Sequence, residues 1–137
     1  MIRWLVPTLV YIVAVGALGV TSKLALRTLQ WPDMILWSGV GYVFVAAVLL
    51  AIGQTKLEIV TGTPWAMLSA GAAIVGLVAL YLALGTGEAS KVIPVSAAYP
   101  AVTLALSVSA LSERVSLLRV AGTGLVIAGV VVVTAAR

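Results

Sequence analysis

GEASKVIPVSAAYPAVTLALSVSALSERVSLLRVAGTGLVIAGV, residues 87–130, decides the fold. Inside it, Val92 to Leu111 is a run of twenty residues without a charge. As a helix rising 1.5 Å per residue it spans about 30 Å, the thickness of a bilayer's hydrocarbon core. Glu113 and Arg114 then mark a short charged turn, and a second uncharged run follows with Gly122 and Gly129 seven residues apart. The pattern predicts two membrane helices joined as a hairpin. Pro100 lacks the amide that would bond the carbonyl of Ser96, so the first helix is expected to bend near mid-membrane, where a freed carbonyl needs a partner or a wet cavity. Prolines also occur in membrane helices as packing devices alone, and that alternative stays open. Gly122 and Gly129 are expected on one face of the second helix, with Gly124 and Ala128 as a small-xxx-small pair beside it. Such faces serve either packing within the chain or contact with a second copy.

Working outward, the chain is 63% hydrophobic and 9% charged, with mean hydropathy +1.23. A water-soluble domain carries roughly 25% charged residues, so the chain is expected to be integral to a membrane, all-α and polytopic. The 137 residues leave room for one transmembrane domain and no folded soluble one. Cysteine and histidine are both absent. With them go disulfides, thiol nucleophiles and the usual zinc ligands and proton shuttles, and no nucleophile–base pair or metal cluster is legible. The expectation is therefore no enzyme, no cofactor and no metal. Basic residues are scattered singly, which reads as membrane-flank charge and not as a nucleic-acid surface.

Five spans are predicted, at about 4–22, 33–53, 64–84, 92–111 and 116–136, making a five-helix bundle. The first follows Arg3 and imitates a signal peptide, but its apolar run is long and lacks a small-residue exit. Trp31 and Pro32 introduce the second, with Asp33 suited to the positive end of the helix dipole, and Thr63 with Pro64 introduces the third. Trp4, Trp31 and Trp65 read as interfacial anchors. An odd number of spans puts the two chain ends on opposite sides. Arg3, Lys56, Arg114 and Arg119 then flank one side and Lys23, Arg27, Lys91 and Arg137 the other, four against four. Because orientation follows the Lys/Arg bias of the flanks, a chain so balanced is expected to insert both ways round and pair as an antiparallel homodimer. Shifting Lys23 or Arg119 out of the flanks would restore a bias.

The four acidic residues, Asp33, Glu58, Glu88 and Glu113, fall at or beyond the predicted helix ends. What remains at mid-depth is polar and uncharged. Tyr11, Tyr42 and Tyr99 lie near the centres of spans one, two and four, and three hydroxyls at one level could bind a small amphipathic molecule. Equally, each could bond a helix backbone and merely pack. Ser96, Thr103 and Ser107 add hydroxyls on span four unless they bond back to carbonyls of their own helix. Trp37 sits one turn into span two, where it could line a cavity mouth, and Lys23, at the low edge of span one, either faces a cavity or snorkels to the interface. Glu88 and Lys91, three apart, are candidates for a gate pair, with Pro100 as the hinge.

Pro100, Leu111 to Arg114, Gly122, Leu125, Val126, Gly129 and Val130, in that order, resemble the last two helices of an EamA-type domain of the drug/metabolite transporter superfamily. The resemblance covers the whole chain as one repeat. It implies a single-domain, five-span member that pairs, as homodimer or heterodimer, into a ten-helix carrier in the plasma membrane. Such a carrier would move a small metabolite by alternating access. The small multidrug resistance branch of that superfamily carries a glutamate in mid-span one, where this chain has Tyr11, Ile12, Val13 and Ala14. Proton exchange through that group is therefore disfavoured. The family often has a lysine near Lys23, and many members carry an arginine early in span two, where this chain has Trp37 and Ser38. Two further functions fit the sequence: a flippase subunit for a lipid-linked substrate, and a membrane assembly subunit that transports nothing.

Overall fold

The computed structural model describes residues 4–135, so Arg3, Arg137 and the expected end of span five at Ala136 lie outside the described residues. Among the described residues there are helices and no strand. They are α1 (Leu5–Ala25), α2 (Trp31–Ala51), α3 (Thr63–Thr86), α4 (Ala89–Ser96), α5 (Tyr99–Leu111) and α6 (Leu117–Ala135). Counting α4 and α5 as one stretch, five are long and apolar enough to cross a membrane. Helix is the form a single apolar segment takes in lipid, because every backbone donor finds its acceptor within the segment. The five stretches agree with the expected spans to within about one turn at each end.

The chain forms two compact units, residues 1–86 and 87–137. In the first, α3 packs against both α1 and α2. Its buried residues are Gly19 and Ser22 on α1 and Tyr81 and Leu84 on α3, all within about two turns of those helices' C-terminal ends. Toward the opposite end, residues 5–17 of α1, 39–51 of α2 and 64–76 of α3 are exposed throughout. Among the described residues, the buried side chains that join the three helices lie toward one end.

Local chemistry sets the connections. Span two begins two residues earlier than expected, at Trp31, with Pro32 in the first turn. The Asp33 carboxylate accepts the Gln30 amide at 2.9 Å, one arm of a capping box. At the far end Gly53 adopts φ +70° while its amide bonds the Leu50 carbonyl and the Gln54 amide bonds that of Leu49. This is a Schellman turn, whose left-handed residue is most cheaply a glycine. The Thr63 hydroxyl accepts the Val60 amide at 2.9 Å and fixes the entry to α3.

In the second unit, α6 packs against both α4 and α5. The fourth span is interrupted: α4 stops at Ser96, α5 starts at Tyr99, and Ala97 and Ala98 join them through tight turns. The break falls just ahead of Pro100, where the missing amide forbids a continuous ladder, and Pro94 removes a second bond inside α4. Ser112 ends α5 in the left-handed conformation, φ 53°, the one non-glycine with positive φ among the described residues. The Ser116 hydroxyl accepts the Arg119 amide at 3.4 Å and opens α6.

Along α6 the half-buried residues Thr123, Val130 and Val133 mark the packed face. One expectation needs correction here. At about 100° per residue, Gly124 stands about 200° round from Gly122. The Gly124–Ala128 pair therefore occupies the other side of the helix and does not lie beside the Gly122–Gly129 face.

Candidate functional site

Lys23 belongs to the last turn of α1, which continues three residues past the expected end of the span. Its Nζ donates to the Leu84 carbonyl oxygen at 2.6 Å. That carbonyl is among the last four of α3, which have no partner within their own helix. A cation on the negative end of a helix dipole adds to the hydrogen bond. Lys23 thus caps α3 from a neighbouring helix, at a point where Leu84 is fully buried.

A second polar contact binds the same end of the unit. Ser38 Oγ donates to the Met34 carbonyl at 2.8 Å, which uses its only proton. The Tyr81 hydroxyl, 3.0 Å from Ser38 Oγ, must therefore be the donor between the two. Tyr81 is 3% exposed, and this bond satisfies its hydroxyl without water. No local signal in the sequence distinguishes Tyr81, because its partner is 43 residues away.

Beyond this knot, α2 and α3 enclose a groove of about 540 Å³ lined by Ile35, Ser38, Gly39, Tyr42, Val43, Ala70, Ala73, Ile74 and Leu77. It carries no charge, and its polar groups are the hydroxyls of Ser38 and Tyr42. Small residues at Gly39, Ala70 and Ala73 leave the space, and Tyr42 stands on its wall. The arrangement suits an apolar or amphipathic molecule.

Within the second unit, α5 and α6 enclose a groove of about 680 Å³. Tyr99, Thr103, Ser107 and Leu111 recur every four residues along one face of α5, and Arg119, Gly122, Thr123 and Val126 form the facing stripe of α6. Glu113 closes the charged end. The Thr103 hydroxyl donates to the Tyr99 carbonyl at 3.3 Å and that of Ser107 to the Leu104 carbonyl at 3.1 Å. Both keep an acceptor lone pair for a ligand donor.

Of the expected site residues, Tyr42 lines the first groove, while Tyr99, Pro100, Thr103 and Gly122 line the second. Tyr11 lines neither. Tyr11, Tyr42 and Tyr99 are 52%, 66% and 56% exposed, so all three present their rings outward from their helices. Trp37 is exposed and lines neither groove, and the Ser96 hydroxyl bonds back to the Ile93 carbonyl at 2.7 Å. Lys91 and Glu88 do pair, at 3.3 Å, where α4 begins, and at 49% and 70% side-chain exposure that contact is worth little stability. A Cβ added at Gly122, Gly124 or Gly129 would meet nothing within 4 Å. Among the described residues no three His, Cys, Asp or Glu side chains cluster as metal ligands would.

Three comparisons bear on what these grooves serve. The model of the EamA-like transporter family matches residues 2–135. An uncharacterized protein of Methanocaldococcus jannaschii is 34% identical over 101 residues, 72% of this chain and 74% of that protein. No solved structure gives a significant match.

Proposed function

Because the chain belongs to the EamA-like transporter family, we propose that it carries small amphipathic molecules across the plasma membrane, by alternating access between two antiparallel copies of itself. The observation that carries this reading is the extent of the family match, residues 2–135, in a chain with five candidate spans. Five spans place the chain ends on opposite sides, and an antiparallel pair would supply the inverted repeat on which alternating access depends. Four flanking cations on each side give insertion no preferred direction.

Three features support the reading. Tight packing at one end of the first unit, with exposed helices toward the other, suits a body that rocks about a fixed end. Tyr11, Tyr42 and Tyr99 are each more than half exposed, and with Trp37, Thr103 and Ser96 they form the proposed substrate-facing set. The Gly124–Ala128 side of α6, turned away from its packed face, is a surface on which a second copy's helix could approach closely. In this scheme Pro100 is the hinge of span four, Glu88 and Lys91 gate the mouth beside α4, and Lys23 holds the fixed end.

The test is functional. Proteoliposomes of the wild type, loaded with a metabolite extract, should release at least one compound faster than empty-vesicle leakage. Replacing Tyr11, Tyr42 and Tyr99 together by Phe should slow that release about tenfold or more, since each lost hydrogen bond is worth about 0.5–1.5 kcal/mol. Unchanged release by the triple variant would remove the tyrosines from the site.

A further inference from the structure

The α5/α6 groove has a polarity gradient that the α2/α3 groove lacks. At one end are Glu113 and Arg119, beside the turn at residues 112–116 that joins the fourth and fifth spans. That turn lies at a membrane interface. From it the α5 wall runs from Leu111 to Tyr99, twelve residues or about 18 Å, close to the half-thickness of the hydrocarbon core, about 15 Å. The groove therefore reaches from headgroup level to about the bilayer midplane, and along that length Leu104, Leu111 and Val126 offer apolar wall.

The charged end is unspent. The ion pair among the described residues is Lys91–Glu88, so Glu113 and Arg119 do not pair with each other. One carboxylate and one guanidinium, both exposed and both lining this groove, complement a headgroup carrying an anion and a cation at once. Arg119 matches a phosphate, which a guanidinium binds through two parallel N–H bonds. Glu113 matches a primary ammonium, which can donate to it directly.

We propose that this groove is a lateral binding site for one zwitterionic phospholipid of the phosphatidylethanolamine type. Its phosphate sits on Arg119, its ammonium on Glu113, and one acyl chain lies along the wall from Leu111 toward Tyr99. The glycerol ester region stays at the level of Leu111, and the chain passes Ser107 and Thr103, whose hydroxyls donate to carbonyls of their own helix. Gly122 makes room for the chain, since any side chain there would stand in the groove. The lipid is a bound component of the protein and not its cargo, so the proposal stands apart from the transport reading.

The test is native mass spectrometry of the full chain in mild detergent, with equimolar phosphatidylethanolamine and phosphatidylglycerol added. Wild type should retain phosphatidylethanolamine over phosphatidylglycerol by about fivefold or more, the worth of one charge-assisted contact. Glu113→Gln should bring that ratio close to one, and Arg119→Gln should lower retention of both lipids. Gly122→Leu should lower retention of both, and with nothing within 4 Å of its Cβ it should fold. Equal retention of the two lipids by wild type, an unchanged ratio in Glu113→Gln, or wild-type retention by Gly122→Leu would each overturn the proposal. A fall in dimer fraction in Gly122→Leu with lipid retention intact would do so too, by assigning the groove to a second copy.

Discussion

Lys23 shows what a single side chain does when its helix runs longer than its hydropathy suggests. The apolar run ends at Ser22, yet the backbone stays helical to Ala25, and that extra turn carries the ammonium to the Leu84 carbonyl. Replacing Lys23 by Met keeps the aliphatic length and removes the donor, leaving a buried carbonyl unsatisfied. The expected cost is about 1–3 kcal/mol, read as a lower midpoint in thermal unfolding of the detergent-purified protein. A midpoint equal to wild type would mean that the carbonyl finds another donor. The place of Lys23 at the edge of span one was legible from the uncharged run that ends beside it. Its partner, 61 residues away, was not, because nothing local to either residue encodes which helix ends meet. Tyr81 and Ser38 were illegible for the same reason.

At the scale of the element, the spans were legible because a membrane leaves a chain so few choices. Twenty uncharged residues favour a helix in lipid, and Pro100 lacks the amide that a continuous ladder would need there. The ends were less so: hydropathy stops at the last apolar residue, whereas the helix stops where its caps allow. Gly53 and Ser112 make this measurable, since both hold left-handed backbone at a helix C-terminus. Gly53→Ala should destabilise by about 1 kcal/mol and Ser112→Gly should stabilise by about 0.5–1 kcal/mol, opposite signs from one conformational preference. Thermal midpoints of the two variants moving in the same direction would contradict that account. The two sides of α6 show the limit of reading small residues by eye. Gly122 and Gly124 look like neighbours in sequence, but the helical turn sends one to the groove and the other to the opposite side.

For the whole molecule, family and fold class followed from composition, span count and the order of motifs on the last two helices. The grooves did not, because each is made by residues from two helices whose facing could not be read from either alone. The central claim, an antiparallel pair, rests on charge at the flanks. Lys23 lies in the last turn of α1 and Arg119 in the first turn of α6, positions from which both still count as flanking charges. The balance of four against four is thereby kept. It is tested most directly by adding one Cys after Arg137 in a chain that has none, and treating intact and then permeabilised cells with an impermeant thiol reagent. Dual insertion predicts that about half of the molecules label in intact cells and the rest only after permeabilisation. Labelling of all or of none in intact cells would contradict it, fixing one orientation and requiring a partner of opposite topology.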